Sequence, residues 1–516
     1  MLNQAKNYDE SNPRHPKRTK LVEGSRNIFI VGIKGVAMAN LAVILRKMGK
    51  TVAGSDVAEQ FITDEILKKY KIAYQIGFDP KKIPTHTDLI VYSGANQGDQ
   101  NPQVITAKKQ GVSVISQAQL LGELSKLFKM NIAVCGCHGK TTTSSLLSYA
   151  LIKLGAKPSY LVGSSDFNGL PGGDFNGSKY FVVEADEYAV NPPHDLTPKF
   201  HHLNPDLILC TNIDFDHPDV YRDLSSTKKA FSKFFAMNAS INRSIRAFMF
   251  FCADDKNLMS IADRLAKDSY LTYGYSNTAD LRIVNYQPDA YGSSFQVELN
   301  YKRHSGNPRL GGGRPESVLI KHERRSIQID LKLAGEKNVS NAAGVILILL
   351  ELGFSLSKIK KAIGDFTGAK RRFELVFEDK GTYLFDDYAH HPAEIEATIK
   401  AARAKYPRQR VIVIFQPHTY SRTQRFLPGF AKSLSLADKT IILPVFASAR
   451  ENPGKFSVSS SGIATINPLK LTSVNSKSEL TQYLKSIIKY QDIIFTMGAG
   501  DVYKLSDDII RIILEI

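Results

Sequence analysis

Short apolar runs recur along the chain, several closed by a glycine or an acid and followed by a stretch of helical spacing. The first, Asn27-Ile28-Phe29-Ile30-Val31, is continuous rather than alternating, as in a strand buried on both faces. Gly32-Ile33-Lys34-Gly35 turns from it into a helical pattern over Val36–Leu45. Thr51–Asp56 predicts a second strand ending in an acid, and Leu89–Ser93 and Val112–Ser116 predict two more. Asn131–Cys135 restarts the pattern, continued by Tyr180–Val183 and Leu207–Leu209. Strands alternating with helices predict an α/β fold with parallel, doubly wound sheets. From about 280 to 333 the residues alternate instead, as in Ser294-Phe295-Gln296-Val297-Glu298-Leu299, which predicts an antiparallel β patch. Arg303–Pro315, rich in Gly and Arg, reads as a hairpin loop within it. A further α/β unit follows residue 369, with strands at Thr382–Phe385, Val411–Phe415, Thr440–Leu443 and Asp492–Met497. These restarts divide the chain into a basic tail (1–26), a first unit (27–129), a central unit (130–368) and a C-terminal unit (369–516).

Composition agrees with three packed domains. The 516 residues are 43% hydrophobic and 23% charged, which excludes a disordered or collagen-like chain. Lys and Arg number 67 against 50 Asp and Glu, a net +17, so anionic partners are expected: phosphorylated small molecules, nucleic acid or acidic membrane. The four cysteines form no C-x-x-C pair, and Cys135 and Cys137 sit in a tight glycine loop, so a reducing cytoplasm is the expected compartment. No apolar stretch reaches the length of a membrane span.

The chemistry concentrates at the ends of the expected strands. Gly136-Cys137-His138-Gly139-Lys140-Thr141-Thr142-Thr143 lies between a strand and a helix. Glycines there let backbone N–H groups approach phosphate oxygens, the helix N-terminus adds positive potential, Lys140 can reach β/γ-phosphates, and the hydroxyl of Thr141 or Thr142 can ligate Mg²⁺. Val134 stands where the longer G-x-x-x-x-G-K-[ST] loop has glycine, so this is a shorter variant. Glu184 and His217 follow two other strands whose ends meet the same sheet edge, which makes them candidate metal ligands. In the first unit, Gly32 and Gly35 suit a phosphate at a helix N-terminus, and Asp56 suits a ribose.

In this order and spacing the motifs resemble the Mur ligases, ATP-dependent amide-forming enzymes of peptidoglycan synthesis. The matching pieces are G-x-H-G-K-T-T-T at 136–143, E-A-D-E at 184–187, N-I-D-F-D-H-P-D-V-Y at 212–221 and G-E-K-N-V-S-N-A-A at 335–343. K-R-R-F-E at 370–374, D-D-Y-A-H-H-P at 386–392 and F-Q-P-H-T-Y-S-R-T at 415–423 complete them. Within the family the chain looks most like the member that joins L-alanine to UDP-N-acetylmuramate, with the tripeptide-recycling member next.

The resemblance implies a Rossmann-like UDP-sugar domain, a central ATPase domain and a Rossmann-like C-terminal domain for the amino acid, in a monomer or homodimer. It implies ATP and Mg²⁺, with Gly136, His138, Gly139, Lys140, Thr141 and Thr142 around the phosphates. Thr141, Glu184 and His217 would hold metal, and Asn338 and Asn341 the adenine. Arg372 and Asp387 would reach ATP from the C-terminal domain, with Asp386 the alternative to Asp387. Tyr388, His390, His418 and Arg422 would line the amino-acid pocket, with His390 able to take the amine proton. Gly32, Gly35, Ser55, Asp56 and Ser93 would face the UDP sugar. Three departures stand out: Lys34 replaces a glycine and could still reach a diphosphate, Lys337 replaces a histidine, and Thr419 replaces an arginine, leaving Arg422 more of the carboxylate to grip. An RNA-binding P-loop protein and a nicotinamide oxidoreductase are the competing classes. The first leaves Lys140, Glu184 and His217 without a purpose, and the second leaves the loop at 136–143 unexplained.

Overall fold

The computed structural model describes residues 20–239, 248–289, 292–300, 326–447, 451 and 453–516. Most of the basic tail and the Arg303–Pro315 stretch lie outside the described residues.

Each restart of the apolar pattern begins a sheet. The first sheet holds β1 (Asn27–Val31), β2 (Thr51–Asp56), β3 (Ala73–Ile76), β4 (Leu89–Tyr92) and β5 (Ser113–Ser116), all parallel in the order β3-β2-β1-β4-β5. Four of the five residues of β1 are buried, as an uninterrupted apolar run requires when helices cover both faces. The order reverses across β1 and β4, which opens a crevice at their carboxyl ends.

The second sheet has ten strands. Its parallel core consists of β6 (Met130–Cys135), β9 (Tyr180–Glu184), β12 (Leu207–Cys210), β13 (Phe248–Cys252) and β14 (Tyr270–Gly274). One edge carries β7 (Ser159–Phe167) and β8 (Leu170–Asp174). The other carries β15 (Leu281–Asp289), β16 (Gly292–Leu299) and β17 (Ile327–Leu331), antiparallel among themselves. The expected antiparallel patch is continuous with this sheet: β15 pairs in parallel with β14 through Tyr273 and Leu281. Its period fits, since Phe295, Val297, Ile329 and Leu331 are buried while Gln296 and Gln328 are not. A small hairpin, β10 (Ala189–Asn191) with β11 (Asp195–Pro198), stands apart.

The third sheet runs β18-β19-β23-β20-β21-β22, formed by β18 (Glu374–Asp379), β19 (Thr382–Asp387), β20 (Val411–Phe415), β21 (Lys439–Ile442), β22 (Leu471–Ser473) and β23 (Ile493–Met497). All pairings but β18–β19 are parallel.

The units are joined by backbone as well as side chains. Asn40 donates its amide to the carbonyls of Val162 (3.1 Å) and Ser164 (2.8 Å), tying the first unit to β7. The Lys370 N–H donates to the Asp166 carbonyl at 2.9 Å, tying the C-terminal segment to the same strand. The sequence around β7 and β8, Val-Gly-Ser-Ser-Asp then Leu-Pro-Gly-Gly-Asp, reads locally as loop; packing against the helix Val36–Lys47 makes it a hairpin. All four cysteines are buried and unpaired. Among the described residues no helix is long and apolar enough to cross a membrane.

Candidate active site

The loop after β6 is shaped by two glycines with positive φ, Gly136 (+130°) and Gly139 (+83°). A Cβ on Gly136 would lie 2.1 Å from Thr211 Oγ1, and one on Gly139 would lie 2.9 Å from Asn341 Nδ2, so both positions exclude a side chain on conformation and on space. The helix Lys140–Lys153 starts directly after, its first N–H groups aimed back into the loop.

Lys140 lies in this loop with its ammonium fully engaged. It donates to the Gly136 carbonyl (2.6 Å), the Cys137 carbonyl (3.2 Å) and both carboxylate oxygens of Glu187 (2.7 and 3.0 Å). Burial opposes its charge, but Glu187, Asp186 and Glu184 outweigh burial and hold the ammonium above its usual range. Glu184 ends β9 and accepts from the Gly163 N–H (2.7 Å) and from Thr141 Oγ1 (3.2 Å). Burial raises its carboxyl despite Lys140 and Arg372. His217, at φ +57°, faces Glu187 Oε1 at 3.4 Å. Burial opposes its protonation, and Asp216 and Glu187 prevail, raising its pKa. Thr141 and Glu184 thus bring a hydroxyl and a carboxylate oxygen together, a donor pair that fits a hard divalent cation, whose adjacent oxygen ligands sit about 2.9 Å apart.

The C-terminal unit closes over this edge. Arg372 Nη2 donates to Thr141 Oγ1 at 3.2 Å, and the Arg372 guanidinium lies 4.9 Å from the centre of the Tyr388 ring. Arg422 reaches the central unit, with Nε and Nη2 both donating to Asp216 Oδ1 (2.9 and 2.8 Å). Its Nη1 lies 3.4 Å from His418 Nδ1. His390 Nδ1 sits 2.9 Å from the Tyr388 carbonyl, a contact that puts the ring proton on Nδ1 and leaves Nε2 as an acceptor. Burial lowers its pKa to about 4. A cleft of about 320 Å³ results, lined by Gly139, Lys140, Thr141, Glu184 and His217 from the central unit. Arg372, Tyr388, His390, His418 and Arg422 line it from the C-terminal unit, and Val36 from the first. It opens at the carboxyl ends of the strands, where α/β sheets take their ligands. A hollow of similar size beside Arg410 and Tyr490 lies at the opposite ends of β20 and β23 and gathers no such set.

Several expected residues stand outside this lining. Thr142 follows in the helix, and Asn338 donates its amide to the Ala334 carbonyl at 2.8 Å. Asn341 packs against Gly139. Asp387 is buried: its oxygens accept from the N–H groups of Phe373 (3.0 Å) and Ala389 (2.8 Å), and Asp386 pairs with Arg371 at 2.8 Å. The His138 ring lies between Asp214 Oδ2 (3.2 Å from Nε2) and Glu394 Oε1 (3.3 Å from Nδ1). Burial opposes its charge, yet the two carboxylates push its pKa up to about 10.

In the first unit, Gly32 lies beside Ser93, with Gly35 one turn on; a Cβ on Gly32 would stand 2.9 Å from Ser93 Oγ. Ser55 donates to Gln103 Oε1 of the helix Pro102–Lys109 (2.6 Å), and Asp56 accepts from the Lys34 N–H in the loop after β1 (2.7 Å), so both tie β2 to neighbouring elements of the first unit. Lys34, which could have reached a diphosphate, is turned inward instead. Its side chain is 2% exposed, and its ammonium donates to the carbonyls of Val57 (3.0 Å) and Glu59 (2.8 Å).

Glu394, which lines the cleft, and Glu187, buried behind Lys140 and His217, are residues whose part in the site was not expected from the sequence. Glu187 closes the E-A-D-E motif, and Glu394, in the first turn of the helix Pro392–Lys405, accepts from the His390 N–H at 3.1 Å just before that helix.

Comparison with known proteins accords with this arrangement. The catalytic domain of the Mur ligase family matches residues 27–129, the Mur ligase middle domain 134–349, and the Mur ligase glutamate ligase domain 371–500. The chain is 36% identical over 483 residues to the UDP-N-acetylmuramate–L-alanine ligase of Caldicellulosiruptor saccharolyticus, covering 92% of this chain and 96% of the relative. It is 32% identical over 491 residues to the enzyme of that name from Desulfitobacterium hafniense, covering 94% and 99%. In fold it is similar to the UDP-N-acetylmuramate–alanine ligase of Thermotoga maritima (TM-score 0.71, 23% identity, covering 95% of this chain and 99% of that one). The murein peptide ligase of Psychrobacter arcticus is similar to the same extent (TM-score 0.70, 22% identity, 95% and 99%). With all three of its domains matched in order and relatives covered almost end to end, this chain is a member of the Mur ligase family.

Proposed function

We propose that the protein joins L-alanine to the lactyl carboxylate of UDP-N-acetylmuramate at the expense of ATP. The observation that carries this is the cleft in which a phosphate loop with Lys140, Thr141 and Glu184 faces Arg372, Tyr388, His390 and Arg422 of another domain. A carboxylate is a poor electrophile. Its attack on the γ-phosphorus of ATP forms an acyl–oxygen–phosphorus link and releases ADP. The amine then attacks the acyl carbon, and inorganic phosphate leaves.

Lys140 supplies a fixed positive charge beside the transferring group, and the N–H groups at the start of the helix Lys140–Lys153 add donors for phosphate oxygens. Thr141, Glu184 and His217 would hold Mg²⁺, which when bound neutralises charge on the phosphates. His390 presents Nε2 as an acceptor for the proton of the attacking amine. Arg422 has Nη1 free of Asp216 and directed toward His418, where it can meet the amino-acid carboxylate. Arg372 lies on the C-terminal side with its guanidinium on Thr141, so domain closure brings charge to the nucleotide and excludes water from the acyl phosphate.

Phosphate release in the presence of ATP, Mg²⁺ and UDP-N-acetylmuramate, across a panel of amino acids and the murein tripeptide, tests the reading. Turnover with L-alanine above glycine, L-serine and tripeptide is the expected result; release with none of them overturns the ligase assignment. Removing Mg²⁺ with a chelator is expected to abolish turnover.

A further inference from the structure

Beside the cleft, at the edge of the phosphate loop, the rings of His138 and His391 face each other at 4.7 Å between centroids, tilted by 30°. Asp214 completes the group: one donor atom from each of His138, Asp214 and His391 lies within 4.8 Å of the others. His391 is 4% exposed, and its Nε2 is buried without a hydrogen-bond partner. An orphaned nitrogen in such a place carries a desolvation cost that a ligand would remove. Glu394 Oε1 stands 3.3 Å from His138 Nδ1, on the ring edge opposite Asp214. His138 Nδ1 is itself buried without a hydrogen-bond partner, and a small turn of Glu394 would let the carboxylate accept from it, the arrangement that orients the other ring nitrogen toward a metal.

We infer that His138, Asp214 and His391 form a binding site for a divalent transition-metal ion of the zinc class, distinct from the Mg²⁺ site of the reaction and bridging the central and C-terminal domains. Two imidazoles and one carboxylate suit zinc, cobalt or nickel better than Mg²⁺, which takes oxygens. In a tetrahedral zinc site the donors stand about 3.4 Å apart, so no separation must close by more than about 1.4 Å. Asp214, whose side chain is 40% exposed, provides the approach from solvent and leaves a fourth position for water. Binding displaces the proton that His138 Nε2 shares with Asp214. Ligation through His391 Nε2 moves that ring's proton to Nδ1 and gives up the long 3.3 Å contact from the Ala393 N–H. Because His391 precedes the helix Pro392–Lys405 and His138 sits in the phosphate loop, the ion would pin the C-terminal domain to the nucleotide-binding edge.

The test uses the full-length protein, stripped by a chelator and titrated with Zn²⁺ in a large excess of Mg²⁺, with free Zn²⁺ read by a chromophoric competitor. One equivalent is expected to bind to the unaltered chain, at least tenfold more weakly to His391→Gln and to Asp214→Asn, and unchanged to His217→Gln. Co²⁺ in place of Zn²⁺ is expected to give intense visible absorption that His391→Gln loses. Far-UV circular dichroism and the unfolding midpoint identify any variant that fails to fold; Asp214→Asn, being partly exposed, carries the test if His391→Gln does. No uptake by the unaltered chain, equal uptake by the folded ligand variants, or loss of uptake in His217→Gln overturns the site.

Discussion

Arg422 of the C-terminal domain and Asp216 of the central domain form a buried pair across the domain boundary, both side chains 4% exposed, with Nε and Nη2 of one converging on Oδ1 of the other. Burial opposes both charges; their mutual attraction still holds the Asp216 carboxyl well below its usual range. A pair taken so far out of water adds little net stability, but leaving either member alone is expensive. The contact therefore fixes the relative position of two domains that each supply half of the cleft.

Removing one partner is expected to cost about 3–5 kcal/mol and to loosen the C-terminal domain. Arg422→Met should lower the denaturant midpoint and speed hydrogen exchange around Asp216, while Arg422→Met with Asp216→Leu should recover most of the stability and none of the turnover. If the double variant is as unstable as the single one, the pair does not carry the coupling.

Lys140 and Glu187 pose the same problem inside one domain, since Glu187 is 1% exposed and both its oxygens face the ammonium. Lys140→Met is expected to abolish phosphate release and also to destabilise the protein by about 3 kcal/mol, because a buried carboxylate loses its counter-ion. Adding Glu187→Gln should restore the unfolding midpoint without restoring activity, separating the two consequences. Equal midpoints for the single and double variants would sink the argument.

Much of this was legible in residue order, for physical reasons that differ by element. β1 and β20 are buried on both faces, so an uninterrupted apolar run marks them within the chain itself. The phosphate loop follows β6 directly and Glu184 ends β9, so their place at the sheet edge was readable; His217 lies seven residues beyond the end of β12. What escaped depends on contacts far apart in sequence. β7 and β8 are a hairpin because Asn40 and its helix pack there, and nothing in Leu-Pro-Gly-Gly-Asp announces that partner. Lys34 could have reached a diphosphate, but its ammonium is held by the carbonyls of Val57 and Glu59. The engagement of Arg422 with Asp216 is likewise invisible to spacing.

Asp387 gives a pH dependence of stability. Burial pushes its carboxyl up to about 6, against the pull of Arg372 and the Ala389 N–H. Between the ordinary value near 3.8 and about 6, the folded state keeps this proton and the unfolded state has lost it. The stabilising contribution is therefore complete below pH 3.8 and is lost as pH rises through 6, amounting to about 3 kcal/mol. Urea unfolding of the unaltered chain and of Asp387→Asn from pH 4 to 7 checks this. The stability difference between them should change across that window, and parallel pH profiles would show that the carboxyl is not held up.

Gly139 tests the phosphate loop through its backbone. Its φ of +83° is costly for any residue with a Cβ, and that Cβ would press on Asn341 Nδ2 at 2.9 Å. Asn341 lies on the helix Glu336–Glu351, whose apolar face covers β15 and β16, so it has little room to withdraw. Gly139→Ala is expected to destabilise the protein by about 1–3 kcal/mol and to weaken ATP binding at least tenfold, since the loop must shift its N–H groups away from the phosphates. Gly139→Ala with Asn341→Ala relieves the contact but not the dihedral strain. Isothermal titration with a non-hydrolysable ATP analogue should therefore show partial recovery in the double variant. Full recovery would mean that the side-chain contact alone requires glycine, and no recovery that the backbone conformation does.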